Sequence, residues 1–146
     1  MQNWNSALQR GLVSGAASSI LSTVALAALG KKEAGSAFAP TNAVSHWVYG
    51  DKAARHSGPS MRYTVPGYLI HHASATFWSI LFERFAGRYL DRTTPVGYLT
   101  AAAATSAFAC FADYKLTPRR LRPGYEKHLS KPSLAIVYAC LLYTSP

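Results

Sequence analysis

The stretch "GLVSGAASSILSTVALAALG", residues 11–30, decides the fold class, because its 20 residues include no Asp, Glu, Lys or Arg. Two further windows, residues 63–82 and 93–112, are equally free of these charges. A helix rises about 1.5 Å per residue, so roughly 20 uncharged residues cross the hydrocarbon core of a bilayer. The windows predict three full membrane spans, which we place at about residues 11–30, 64–83 and 94–113.

A soluble helical bundle is the alternative, and the mean hydropathy of +0.03 is modest for a membrane protein. Helices of soluble proteins, however, carry a charged face opposite their apolar stripe, and the windows at 11–30 and 93–112 have none. Their low hydropathy comes from Ala, Ser, Thr and Gly. We therefore interpret residues 1–146 as a single all-α membrane domain, a polytopic bundle of transmembrane helices.

Small residues form an edge along the first and the third predicted span. Helices in lipid gain nothing by packing leucine against leucine, so they associate through small residues that let their backbones approach. We expect these two spans to make close contacts along their edges, which consist of Gly11, Gly15 and Ser18 in one span and of Gly97, Ala101 and Thr105 in the other.

A fourth apolar window begins at Pro132, but only 15 residues, 132–146, remain after the last charged residue. This length is too short to span, so we predict a truncated fourth helix. The ending "CLLYTSP", residues 140–146, resembles the translated sequencing-adapter tail that is sometimes appended to reading frames assembled from environmental DNA. We expect the natural chain to continue past about Ala139, which would leave Cys110 as the one genuine cysteine.

Basic residues predict the orientation of the chain. Eleven of the 15 lysines and arginines lie in the loops before the second and fourth windows, and the other four are Arg10, Arg84, Arg88 and Arg92. Positive residues stay in the cytoplasm, so the two basic loops are expected there and the amino terminus outside. The expected location is the bacterial inner membrane, crossed several times.

The net charge is +9, but the sequence contains no recognisable nucleic-acid recognition motif. Because the charges flank predicted spans, anionic phospholipids are the expected partner and nucleic acid is not. The sequence is also compatible with a homo-oligomer or with a complex with another membrane protein.

A short helix is predicted in the first basic loop, at residues 40–50, starting at Pro40 or Thr41 and stopping at Gly50. It is too short and too polar to span, and the aromatic rings of Trp47 and Tyr49 suit the headgroup region. We expect an interfacial helix lying flat on the cytoplasmic face. A re-entrant element tucked between the spans is the alternative.

The second window contains two adjacent histidines, in "GYLIHHASATFWS", residues 67–79. His72, Thr76, Ser79 and Glu83 are spaced by four, three and four residues, which places them along one side of a helix as a polar stripe. Polar residues at membrane depth usually face the protein interior, so this stripe predicts the packed side of the helix. At its far end Glu83 is expected to form an ordinary interfacial ion pair, beside Arg84 and Arg88.

The side chain of His71 points about 100° away from the polar stripe. At its depth the expected ionisable neighbours are Asp113, at the end of the third span, and His46 in the first loop. Imidazole is a common metal ligand. The candidate ligand or polar cluster therefore consists of His46, His71, His72 and Asp113.

Three classes of function are compatible with this pattern. We favour a structural or accessory membrane protein, in which histidines and hydroxyls make hydrogen bonds between helices. The first alternative is a metal, haem or quinone site built on the histidines at the cytoplasmic membrane face, and the second is a proton or solute path along the second helix. No HxxxH, HExxH or GxSxG spacing and no phosphate-binding glycine loop occurs, so no catalytic residue is predicted.

Three segments, "NAVSHW", "GYLIHHAS" and "DYKLTPRRLRPGYEKHLS", together resemble a family of small, uncharacterised bacterial inner-membrane proteins. The resemblance covers most of residues 10–139. It implies a four-helix inner-membrane protein and brings no activity, cofactor or catalytic residue. The chain departs from the family at its carboxyl end, which is shorter.

Overall fold

The computed structural model describes residues 1–143, with side chains as far as Cys140. Within this part every regular element is a helix or helical turn and no strand occurs, which confirms the predicted all-α class. A π-helical turn, Ala112–Leu116, and two 3-10 turns, Arg119–Leu121 and Tyr125–Lys127, join the last two helices. The helices are α1 Trp4–Ala34, α2 Ala39–Val44, α3 His46–Tyr49, α4 Asp51–Ala54, α5 Thr64–Leu90, α6 Pro95–Phe111 and α7 Lys131–Tyr143.

Within residues 1–143, two helices are long and apolar enough to cross a membrane, as judged by length and composition: α1, and α6 with its extension to Leu116. Of the three full spans and the truncated fourth that were predicted, the first and the third thus correspond to helices that could cross a membrane. α5 is 27 residues long but more polar, and α7 has 13 described residues. Residues 144–146 of the predicted fourth window lie outside the described residues.

Local sequence sets the ends of the two apolar helices. Asn3 caps α1 by accepting a hydrogen bond from the Ser6 amide, and Gly35 ends it in the left-handed conformation that glycine adopts without strain. Thr94 accepts from the Gly97 amide at the start of α6, where Pro95 occupies the first turn.

α1 and α5 pack against each other along most of their length and run antiparallel. α7 lies against both α1 and α6, whereas α6 touches α5 only lightly. The loops 35–63 and 112–130 meet at one end of the molecule, where the Trp47 indole donates to the Arg122 carbonyl oxygen and a ring nitrogen of His128 hydrogen-bonds the Ala54 carbonyl oxygen. The two loops that carry most of the basic residues therefore lie on the same end.

The distribution of polarity in α1 is the reverse of that in a soluble helix. Apart from Leu26, its buried side is formed by small and hydroxyl residues, whereas its exposed side includes many large apolar ones. A helix that turns its leucines outward and its serines inward is destabilised in water, whereas in lipid the exposed leucines cost nothing and the small inward residues allow close packing. The buried residues include Gly11, Ser14, Gly15, Ser18, Ser19 and Ser22, and the exposed ones include Leu12, Val13, Ile20, Leu21 and Val24.

The first-loop segment predicted at 40–50 forms α2 and α3. All residues from 39 to 46 are buried, and α2 packs against α5, α1 and the turn Tyr125–Lys127. Gly67 of α5 permits this approach, because a Cβ there would collide with the Thr41 carbonyl oxygen. α2 therefore does not lie flat on the surface. It corresponds to the alternative, an element tucked among the long helices. Its sequence "APTNAV" contains no charged residue, so it can be buried without leaving a charge unpaired.

Candidate functional site

Both adjacent histidines face serines of α1. A ring nitrogen of His71, Nε2, lies 2.7 Å from the hydroxyl oxygen of Ser22, and Nδ1 of His72 lies 3.0 Å from that of Ser19. His71 is the more deeply buried ring, with 5% of its surface exposed, and His72 is half-buried. Antiparallel packing places the two serines at the depth of the two histidines, so each imidazole obtains a neutral partner in the interior.

The other two members of the predicted cluster have different partners. Nδ1 of His46 lies 2.8 Å from the Ala43 carbonyl oxygen, one turn back along the chain. Oδ2 of Asp113 accepts a 2.6 Å hydrogen bond from the Tyr138 hydroxyl of α7. Within residues 1–143, no three His, Cys, Asp or Glu side chains are placed to hold a metal ion together. The cluster of His46, His71, His72 and Asp113 is therefore not assembled as a metal centre in the described part.

The polar stripe of α5 continues past the histidines along α1. Thr76 lies against Gly15, and Ser79 and Glu83 are fully buried. The predicted interfacial ion pair of Glu83 beside Arg84 and Arg88 is wrong in partner and in exposure. The cation nearest to Glu83 is Arg10 of α1, with 3.6 Å between Nη1 and Oε2.

Arg84 points elsewhere because consecutive residues of a helix diverge by about 100°. Its guanidinium carbon lies 4.9 Å from the centre of the Trp4 ring, in a cation–π arrangement.

Several oxygens of this interface are buried and have no hydrogen-bond partner in the described part of the chain. They are the hydroxyl oxygens of Ser14, Thr76 and Ser79 and both carboxylate oxygens of Glu83. A buried polar group without a partner costs free energy, so each such group in a native protein calls for a reason, such as a bound water or a functional role. The stripe therefore packs against α1 and also contains buried oxygens without hydrogen-bond partners in the described part of the chain.

Asp91 closes the end of the α1–α5 pair. Its carboxylate accepts two hydrogen bonds from the Arg10 guanidinium, of 2.6 and 3.2 Å, and one from the Gln2 side-chain amide. The hydrogen bond from Arg10 is the main cause that lowers the pKa of Asp91 below its usual value. Arg10 is thus shared between an exposed carboxylate and the buried one of Glu83.

The small-residue edges differ in what they contact. Gly11 and Gly15 lie against α5: a Cβ on Gly11 would come within 2.6 Å of the Ile80 Cα, and one on Gly15 within 2.6 Å of the Thr76 Cα. On α6, Gly97, Ala101 and Thr105 are only half-buried. The buried residues of α6 are Ala102, next to Ala101, and Ala109, four residues after Thr105. The Ser106 hydroxyl donates to the Tyr138 carbonyl oxygen of α7.

Two adjoining cavities lie at the basic end. The first, about 500 Å³, has apolar and aromatic walls that include Trp47, Trp78 and Tyr125, with His71 and Asp113 among its lining. The second, about 550 Å³, is lined by Arg119, Arg120, Arg122 and Lys127 together with His46 and two acidic residues. Trp47 lines both.

Asp51 stands in the basic cavity and pairs with Lys127 at 2.8 Å. The hydrogen bond from Lys127 lowers the pKa of Asp51. The second carboxylate, Glu126, accepts from the Gly124 amide at 2.7 Å and from the Tyr114 hydroxyl at 3.3 Å. Both acids of the cavity are thus engaged within the protein.

Two residues that hold this end together were not predicted from the sequence. The Asn42 amide group donates to the carbonyl oxygens of His56 and Gly58, and its own oxygen accepts from Thr64. Glu33 accepts from the amide and hydroxyl of Ser130 and from the hydroxyl of Ser133. These hydrogen bonds join Glu33 to the start of α7. No local pattern indicates either role, because the partners lie far away in sequence.

Comparison of the chain with protein families, with curated proteins and with solved structures finds no match.

Proposed function

We propose that this chain is a small multi-pass protein of the bacterial inner membrane with a structural or accessory role, in which the intramembrane histidines join helices. The observation that carries the proposal is that both imidazoles bond to serines of α1. Such interhelical hydrogen bonds contribute about 0.6 to 2 kcal/mol each in a membrane. A neutral imidazole–hydroxyl pair also gives each group a hydrogen-bond partner without an ion.

Multiple crossing is supported by the partners of the two apolar helices. α5 packs along α1 over most of its length, so a bilayer that contains α1 also surrounds α5, whose exposed side includes Leu69, Phe77 and Phe85. α7 packs against α1 and α6 in the same way and would supply the fourth helix. We propose on this basis that the chain belongs with the four-helix inner-membrane proteins that it resembles.

The proposed orientation predicts a labelling pattern. Single cysteines at Lys52 and Arg122, in a chain whose own cysteines are replaced by serine, should resist a membrane-impermeant thiol reagent in intact cells, because both basic loops lie inside. A cysteine at Arg92, the matched position on the opposite end, should react. Reaction at the first two positions with protection at Arg92 would invert the topology.

The histidine assignment predicts a loss of stability without a loss of ligand. His71→Ala should lower the melting temperature in detergent, because it leaves the Ser22 hydroxyl buried without its partner. The double variant His71→Ala, Ser22→Ala should lose less than the two single variants added together, since both remove the same hydrogen bond. His72→Ala, at the half-buried ring, is the matched control with the smaller effect.

Metal analysis and an optical spectrum of the same purified proteins test the alternative. A metal or haem that is bound by the wild type and lost in both His71→Ala and His72→Ala would replace the structural assignment with a ligand site.

A proton path along α5 is the second candidate function, and the unpartnered buried oxygens of Ser14, Thr76, Ser79 and Glu83 favour it. These groups lie between Arg10 and Asp91 at one end and the two histidines towards the other. Glu83→Gln separates the two functions, because a path that uses the carboxyl group as a proton carrier would be interrupted, whereas a packing role would not.

Anionic phospholipids remain the proposed general partner of the basic end. The exposed side of α6 supports a further contact with a second copy or another membrane protein. It presents small side chains, among them Ala103, Ala104 and Ala107, of the kind that lets another helix approach closely.

A further inference from the structure

We propose that the two adjoining cavities at the basic end form one binding site for an anionic phospholipid, with the headgroup phosphate in the arginine cavity and one acyl chain in the aromatic cavity. The inference rests on the proposed membrane location. It goes beyond general attraction to the bilayer surface, because it names a site with a charged and an apolar compartment on either side of a shared wall.

The wall between the compartments comes from the segment 119–123 and from Trp47. Side chains of this segment divide between the cavities: Leu121 and Pro123 line the apolar one, and Arg120 and Arg122 line the basic one. Trp47 lines both and donates a 2.9 Å hydrogen bond to the Arg122 carbonyl oxygen. Because consecutive residues from 120 to 123 line opposite cavities, apolar and cationic groups lie side by side, as the binding of an amphipathic anion requires.

The arginines of the basic cavity are available to an external anion. Lys127 is occupied by Asp51, and Glu126 is occupied by Gly124 and Tyr114. Within residues 1–143, Arg119, Arg120 and Arg122 form no ion pair, and Nε of Arg122 is buried without a hydrogen-bond partner. Guanidinium groups bind phosphate oxygens through paired hydrogen bonds, so a phosphate is the anion that suits this arrangement.

The aromatic cavity has the properties of an acyl-chain site. Ile70, Phe77 and Trp78 of α5 line it, and Phe77 also belongs to the exposed apolar side of α5. Its two most polar residues each have a partner within the protein, since His71 pairs with Ser22 and Asp113 with Tyr138. A cavity of this size with mainly apolar walls favours an apolar occupant. A free inorganic phosphate would leave it unfilled, which is why we assign a phospholipid.

Quenching of tryptophan fluorescence by brominated acyl chains tests the site in the full chain. Trp47 and Trp78 line the aromatic cavity, and Trp4→Phe removes the one tryptophan at the opposite end. This protein is reconstituted into phosphatidylcholine vesicles that contain a minor fraction of either brominated phosphatidylglycerol or brominated phosphatidylcholine. We expect stronger quenching by the anionic lipid at equal bromine content.

Arg120→Gln with Arg122→Gln should lower this preference about tenfold or abolish it, since charge-assisted hydrogen bonds to the phosphate are lost. The matched control is Arg88→Gln with Arg92→Gln, which removes two arginines from the opposite end and should keep the preference. Ala73→Phe, which places a ring in the aromatic cavity, should reduce quenching by the anionic lipid while the arginines are intact. Every variant is first shown to melt and elute like the wild type.

Equal quenching by the two lipids, or a preference that survives the double arginine variant, would overturn the site. If inorganic phosphate removes the preference and Ala73→Phe does not, the site holds a free anion and the lipid assignment is wrong. Failure of the protein to insert into vesicles at all would instead contradict the proposed membrane location, and flotation of the vesicles separates this result from the others.

Discussion

Gly15→Leu is expected to separate α1 from α5 and to cost about 3 kcal/mol of folding stability, the upper end of the usual cost of overpacking. A Cβ at this position would lie 2.6 Å from the Thr76 Cα, and a backbone atom in a packed helix cannot move aside as the end of a flexible side chain can. Leucine adds three further carbons in the same direction. Thermal unfolding in detergent, followed by size-exclusion chromatography, measures the loss.

Two matched variants grade this effect. Gly15→Ala introduces only the colliding Cβ and should lie between wild type and Gly15→Leu. Ala101→Leu makes the corresponding enlargement on α6, where the residue is half-buried, and should lower the melting temperature much less. Wild-type melting of Gly15→Leu would show that α1 and α5 do not approach at Thr76, and a larger loss for Ala101→Leu would place the tight contact on α6.

These glycines illustrate what a single sequence predicts about helix packing. Four-residue spacing of Gly11 and Gly15 identifies the face of α1 that meets another helix, because residues four apart lie on the same side. Nothing in that spacing says which helix is met, and the partner is α5. The face of α6 was predicted less well. Of its two buried residues, Ala109 continues the predicted edge four residues after Thr105, whereas Ala102 lies next to Ala101 and off that edge, since a helix rich in alanine has no single small edge.

The histidines show the same division between local and distant information. Helical spacing predicts that the side of α5 with His72 and Ser79 is packed, and the depth of the rings follows from residue number. The partners Ser19 and Ser22 belong to a helix about 50 residues earlier, and a sequence rich in serine offers many equivalent candidates. Glu33 and Ser130, 97 residues apart, are a still more distant pair. Such contacts depend on the tertiary arrangement of helices, which no local pattern encodes.

Arg10→Gln is expected to destabilise the protein by about 2 to 3 kcal/mol, because it leaves the Glu83 carboxylate buried without its cation. This is at or below the lower limit of the roughly 3 to 5 kcal/mol typical for breaking a buried ion pair, since the Arg10 side chain is 34% exposed and lies 3.6 Å from Glu83. Asp91→Asn is the control for the second role of Arg10 and should have a small effect, because that carboxylate is exposed to solvent.

The companion variant Glu83→Gln should be close to neutral, since the removed carboxylate accepts no hydrogen bond in the described part of the chain. The double variant Arg10→Gln, Glu83→Gln should then recover most of the stability lost in Arg10→Gln, because the penalty is the unpaired charge and not the missing contact. A double variant no more stable than Arg10→Gln would mean that the ion pair itself holds the helices together.

The same variants decide what the buried carboxyl group does. If its role is confined to packing, wild type, Glu83→Gln and Asp91→Asn reconstituted in vesicles should all admit protons at the rate of protein-free vesicles when a membrane potential is imposed. Proton uptake by the wild type that Glu83→Gln abolishes and Asp91→Asn retains would make the buried line from Glu83 through Ser79 and Thr76 to the histidines a conducting path. The stability cycle and the flux assay use the same purified proteins, so an inactive variant can be distinguished from an unfolded one.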